Sequence, residues 1–153
     1  MTYLLHALQA RAGEFISLRR DIHRHPELAF EEHRAAALLV ATLRAEGLAV
    51  EAGCYGLATA FESRSGDAGP TVALLAECDA LPGIGHACGH KLIATAAVGE
   101  GLALAALGAR LPGRVRVLGT PAEEAGCGKE VLARAGAFEG VDAALMVHPA
   151  GVD

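Results

Sequence analysis

The chain has 153 residues, 52% hydrophobic and 20% charged, with no Trp and a formal net charge of -5. That suffices for one domain with a core of small residues and is too little for two ordinary ones. Basic residues are neither in excess nor clustered, the apolar stretches are too short to span a membrane, and the first residues lack a leader pattern. The composition therefore argues against nucleic-acid and membrane partners and predicts a cytoplasmic protein.

Residues 2–23 read as one helix, with Leu4, Leu5, Leu8, Phe15, Ile16 and Leu18 as its apolar set. Pro26 predicts a break after it. A second helix is predicted over 31–46, with Ala35, Leu38, Leu39 and Leu43 inward and Gly47 as its stop. Two strands, 48–52 and 57–62, flank a turn at 53–56, and 63–70 is a polar turn containing glycine. Residues 71–76 read as a buried strand, followed by a loop over 77–89. Residues 92–107 are apolar nearly all round, which suits a buried helix. A strand over 114–119, a helix over 130–137 and a strand over 143–147 complete the series. This alternation predicts an α/β fold, a three-layer α-β-α arrangement with a mostly parallel sheet.

The polar residues of most interest directly follow predicted strands: Glu77 to Asp79, Pro121 to Glu124, and His148. In open α/β sheets ligands bind beyond the carboxyl ends of strands. Cys88 and His90 stand two apart around Gly89, a spacing that lets a thiolate and an imidazole aim at one point, and both are good ligands for zinc-like ions. A buried thiol beside a helix-capping histidine leaves the same triplet. A cysteine nucleophile with His90 or His86 as its base is a further reading. Glu123 and Glu124 are adjacent carboxylates: a cation can take one while the other stays free as a base, and a solvated acidic helix start is the plainer alternative. Of the four cysteines, Cys54, Cys78, Cys88 and Cys127, all are expected as thiols, Cys54 as core filler.

In order along the chain stand Arg20-Asp21-Ile22-His23-Arg24-His25-Pro26-Glu27-Leu28, Asp79-Ala80-Leu81-Pro82, Gly85-His86-Ala87-Cys88-Gly89-His90, Pro121-Ala122-Glu123-Glu124 and His148-Pro149. Together they resemble the aminoacylase and auxin-conjugate amidohydrolase branch of the dinuclear metallopeptidases, peptidase family M-twenty. Residues 74–90 are most similar to its subgroup of aminobenzoyl-glutamate hydrolase subunits and aminoacylase-like dipeptidases. The resemblance implies a metal-dependent amide hydrolase acting on N-acyl amino acids, dipeptides or aminobenzoyl-glutamate-like amides. It implies two divalent metal ions, zinc or manganese, held by Cys88, His90, Glu124 and His148, with the Cys88 thiolate as a candidate bridge. Glu123 matches the general base, Asp79 a supporting acid, and His86 a residue orienting the loop. The segment from His23 to Glu27 carries no catalytic duty and reads as structural. The resemblance also implies homo- or heterodimers for the full-length proteins.

The sequence departs from that pattern in three ways. Lys91 follows His90 where the family has Asp or Asn, and it is expected either to point away or to pair with an acid such as Glu77 or Asp79. Cys127 interrupts a glycine run. Relatives are more than twice as long, with a lid or dimerisation domain inserted after the His148 region, then further strands and one more histidine ligand; no His follows His148 here. Residues 1–153 are therefore expected to form part of a catalytic domain with an incomplete sheet. The alternative expectation is a truncated, non-catalytic remnant or single-metal module of the same fold.

Overall fold

The computed structural model describes residues 2–150, so the outermost positions of the expected 1–153 domain lie outside the described residues. Three helices come first: α1 (Thr2–Ala10), α2 (Ala12–Arg24) and α3 (His33–Ala45). A hairpin of β1 (Val50–Ala52) and β2 (Phe61–Ser65) leads to β3 (Thr71–Ala76), α4 (His90–Ala105) and β4 (Arg114–Gly119). The short α5 (Glu123–Gly126), α6 (Gly128–Arg134) and β5 (Ala143–Leu145) follow.

The sheet order is β1-β2-β4-β3-β5. β3 pairs in parallel with β4 on one side and β5 on the other, while β2 runs antiparallel to both β4 and β1. The predicted parallel sheet is thus the β4-β3-β5 core, and the hairpin extends it as a mixed sheet. The 66–70 connection between β2 and β3 explains the change of direction. A parallel return needs a crossover of about a dozen residues or more, whereas a short link returns the chain antiparallel.

Alternation along β3 and β4 builds two cores. Leu74, Ala76, Val115 and Val117 face Ile22 of α2, Leu39 and Leu43 of α3, and Val98 of α4. Ala73, Leu75 and Leu118 face the other way, toward Phe138 and Val141 after α6. Leu132 of α6 joins Ala60 and Ala137 on that second side. The result is the three-layer arrangement expected. Leu39 and Leu43 are fully buried at i, i+4 spacing, and each stabilises the fold by roughly 1.5–3 kcal/mol. No helix among the described residues is long and apolar enough to cross a membrane.

Two local expectations are corrected. The predicted first helix is broken at Arg11, whose φ of -108° and ψ of 8° leave the helical region. The bend lets α1 and α2 each lie against α4, and Arg11 then pairs with Glu14 and Glu46. The second strand starts at Phe61 rather than 57, because Leu57 and Ala60 donate their amides into a turn, to the carbonyls of Cys54 and Leu57. At the opposite side of the sheet, β5 is exposed along its length, and Leu145 and Val147 are 57% and 63% accessible.

Candidate metal centre

Three strand ends converge on one site. Residues 77–79 continue from β3, 120–124 from β4 and 146–149 from β5. His90 opens α4 behind Gly89, which has a φ of 87°. A Cβ on Gly89 would lie 2.4 Å from Cγ of Pro149. A bare backbone at that position lets the segment carrying His148 descend onto the start of α4. After β4 the chain turns sharply at Ala122 (φ 59°, ψ 47°), so that Glu123 and Glu124 open α5. Gly128 lies so close to the Pro121 carbonyl that a Cβ would stand 1.8 Å from its oxygen, and this contact brings Lys129 back toward the two glutamates. Cys127 sits between them in the left-handed region, at φ 50°. A glycine is less strained in that conformation.

Asp79 is the hub. Its Oδ1 lies 2.7 Å from His90 Nδ1, and its Oδ2 accepts the Glu124 backbone N–H at 2.9 Å. Asp79 and His90 are each 1% exposed. Burial pushes the Asp79 carboxyl up, but the His90 hydrogen bond and the Glu124 amide outweigh it and hold it below the ordinary value. With Nδ1 engaged by Asp79, Nε2 of His90 faces inward, 3.4 Å from both Glu77 Oε2 and Glu124 Oε1. Burial lowers the imidazole pKa, and Asp79, Glu77 and Glu124 together outweigh burial and raise it. The His148 ring stands edge-on to His90, with centroids 5.9 Å apart.

Two donor groups share His90: Cys88, His90 and Glu124, and Glu77, His90 and His148. Within each group the donor atoms lie within 4.8 Å of one another. Glu77 is 0% exposed and neither of its oxygens makes a well-formed hydrogen bond. Lys129 reaches it as an ion pair and also contacts Glu123. One ammonium thus pairs with Glu77 and Glu123 in a cluster that also holds Asp79 and Glu124, a local excess of negative charge that favours cations. Hydrogen bonding to Glu124 and then burial raise the Cys88 pKa, so a thiolate there needs a cation beside it. The mix of thiol, imidazole and carboxylate suits zinc-like ions.

Of the residues singled out from the sequence, Asp79, Cys88, His90, Glu123, Glu124 and His148 come together. His86 belongs to neither donor group. Its ring is 5% exposed, with both nitrogens unpartnered, and lies 6.5 Å from His23. Lys91 does not pair with Glu77 or Asp79. It turns away and donates to the His86 carbonyl at 2.7 Å, and Lys129 is the cation that meets Glu77. Sequence reasoning missed Lys129, and it singled out Glu77 only as part of the strand-end segment 77–79 and as a partner for Lys91. The available signal was the Gly126-Cys127-Gly128 bend, which returns the next residue toward Glu123.

Residues 73–152 match peptidase family M20/M25/M40. The chain is 45% identical to Xaa-Arg dipeptidase of Mus musculus, over 95% of this chain and 39% of that protein. It is 35% identical to a p-aminobenzoyl-glutamate hydrolase subunit of Escherichia coli K12, over 94% of this chain and 34% of that protein. The crystal structure of the Bacillus subtilis YXEP protein, a dinuclear metal-binding peptidase of the M20 family, superposes with a TM-score of 0.81 at 31% identity, covering 89% of this chain and 42% of that one. The chain belongs to the M20/M25/M40 peptidases, a family of metal-dependent hydrolases. It spans about two fifths of the length of these relatives.

Proposed function

We propose that this chain carries the metal centre of an amide-bond hydrolase that uses two divalent cations, zinc or manganese. The observation that carries the reading is the pair of donor groups meeting at His90. Cys88, His90, Glu124 and His148 would hold the cations. When bound, the cations polarise the scissile carbonyl and lower the pKa of an attacking water to about 7. Glu123, free beside Glu124, takes a proton from that water and returns it to the leaving nitrogen. Asp79 holds the proton on His90 Nδ1 and keeps the Nε2 lone pair aimed at the site. Lys129 holds the Glu123 carboxylate in place. The substrates are N-acyl amino acids, dipeptides or aminobenzoyl-glutamate-like amides. The similarity to one subunit of the Escherichia coli hydrolase supports a homo- or heterodimeric assembly. Four free cysteines support a reducing, cytoplasmic setting. A raised Cys88 pKa is the reverse of what a cysteine nucleophile requires.

The test is elemental analysis of the purified chain, with amide hydrolysis measured on the same sample. About two ions per chain and turnover abolished by chelators are expected. Chelator-resistant turnover blocked by thiol reagents would instead select the cysteine reading, and a metal-free, inactive chain would select the remnant. Cys88→Ser should lower the metal content, and unchanged stoichiometry would remove Cys88 as a ligand.

Asp79→Asn gives a sharper test of the hub. The amide oxygen can still accept the Glu124 N–H, but the amide nitrogen facing His90 drives the imidazole proton onto Nε2. Metal affinity should fall about 10–100-fold, read by competition with a chromophoric chelator, with little loss of fold. Wild-type affinity in this variant would show that His90 does not depend on Asp79.

A further inference from the structure

Glu32 stands at the N-cap position of α3, where a carboxylate ordinarily bonds the first amides of its own helix. It makes no such bond. Glu27 does that work, accepting the backbone N–H groups of Arg34 and Ala35 at 2.9 and 2.8 Å. Glu32 is released for a different contact. Its side chain is 0% exposed and crosses to the end of β4. There Oε1 accepts the Ala122 N–H at 2.8 Å, and Oε2 accepts the Thr59 hydroxyl at 2.9 Å. Its neighbours are hydrogen-bond donors, and burial is the dominant influence on it, raising its pKa.

Ala122 is the pivot of the acidic turn. It is fully buried, holds a left-handed conformation without being glycine, and immediately precedes Glu123. Its carbonyl is held separately, accepting the Gly128 N–H at 3.1 Å. The conformation of the pivot is therefore fixed at its amide by Glu32 and at its carbonyl by α6.

We infer that Glu32 is a positioning residue for the metal centre, a buried carboxylate that sets the Ala122 pivot and through it the direction of Glu123 and Glu124. A buried carboxyl group with no cationic partner among the described residues is retained in the interior because its oxygens fix a strained turn at the site. The segment just after the His23 to Glu27 signature thus acts on the site at a distance of 90 residues along the chain. This inference rests on the reading of Glu123 and Glu124 given above.

The variants are Glu32→Leu, Glu32→Gln and Thr59→Val in the whole chain. Two measurements are made on each: hydrogen exchange of the Ala122 amide, and cobalt(II) binding followed by its visible and thiolate charge-transfer absorption. Glutamine presents an oxygen to Ala122 and an amide to Thr59, so it should keep the slow exchange and the cobalt spectrum, with affinity within about threefold of wild type. Leucine should abolish the protection, alter the spectrum and weaken cobalt binding about 10–100-fold, the range for lost supporting contacts. Thr59→Val should fall between them. A folded Glu32→Leu chain with wild-type affinity and spectrum overturns the inference, and so does a glutamine variant as damaged as leucine. If Glu32→Leu does not fold, the glutamine and valine variants decide, with wild-type behaviour in glutamine and an intermediate loss in valine required. A wild-type chain that binds no cobalt refutes the proposed function instead, and Ala122 exchange still judges what Glu32 holds.

Discussion

Replacing Glu123 by glutamine should leave the metal content unchanged and lower turnover about 10²–10⁴-fold. The two side chains have the same shape, and glutamine can still accept from Lys129, so the turn keeps its partner. What disappears is the ability to take a proton from the attacking water. Glu123 is suited to that task because it is more open than its neighbour: its side chain is 40% exposed, against 26% for Glu124. Glu124 also has its backbone tied to Asp79 and its carboxylate beside His90 and Cys88. Metal analysis and kcat measured on one preparation separate the two roles. Retained turnover removes Glu123 as the base, and lost metal makes it a ligand.

Glu62 should govern stability rather than chemistry. It is 3% exposed on β2 and accepts hydrogen bonds from Arg64, Tyr55 and Arg116. Arg116 on β4 is itself 7% exposed. Glu62→Ala leaves that guanidinium buried beside an empty space, a change that costs about 3–5 kcal/mol and should lower Tm on the order of 10 °C. The pH dependence has a definite sign. Burial pushes the Glu62 carboxyl up, but Arg64, Tyr55 and Arg116 prevail and hold it below 4.5. Its stabilisation is complete above the unfolded value and is lost as pH falls through the folded one. Denaturant melts should therefore weaken below pH 4.5 in wild type, and the slope should be shallower in Glu62→Gln. An equal acid slope in both would assign the loss to other carboxylates.

Much of the site was legible because its residues directly follow apolar strand runs, and sheets present their ligands at those ends. Glu124, His148 and Asp79 were singled out that way, and Cys88 and His90 by their spacing around Gly89. Contacts between distant segments were not legible. Glu32 reads as a helix-start acid until the fold shows Glu27 capping that helix. Lys129 lies just before the helix predicted over 130–137 and carries no role in the sequence until the close approach of Gly128 to Pro121 turns it inward. Lys91 reads as the troublesome cation because it adjoins His90, yet neighbours on a helix point in different directions. The break at Arg11 was hidden because its flanking residues keep an apolar set on both sides, so periodicity alone reads straight through it.

The hydrogen bond between Glu32 and Ala122 joins the start of α3 to the carboxyl end of β4, and His148 arrives only after β5. Beyond the neighbouring Cys88 and His90, the donor set therefore has no local precursor. Contacts of such long sequence separation form late and slowly, since loop closure must precede the energy they return. Metal capture consequently reports the end of folding, and refolding followed by cobalt absorbance should lag behind refolding followed by helix formation. Cations added early meet scattered thiols and imidazoles, and cations added late meet a finished cage.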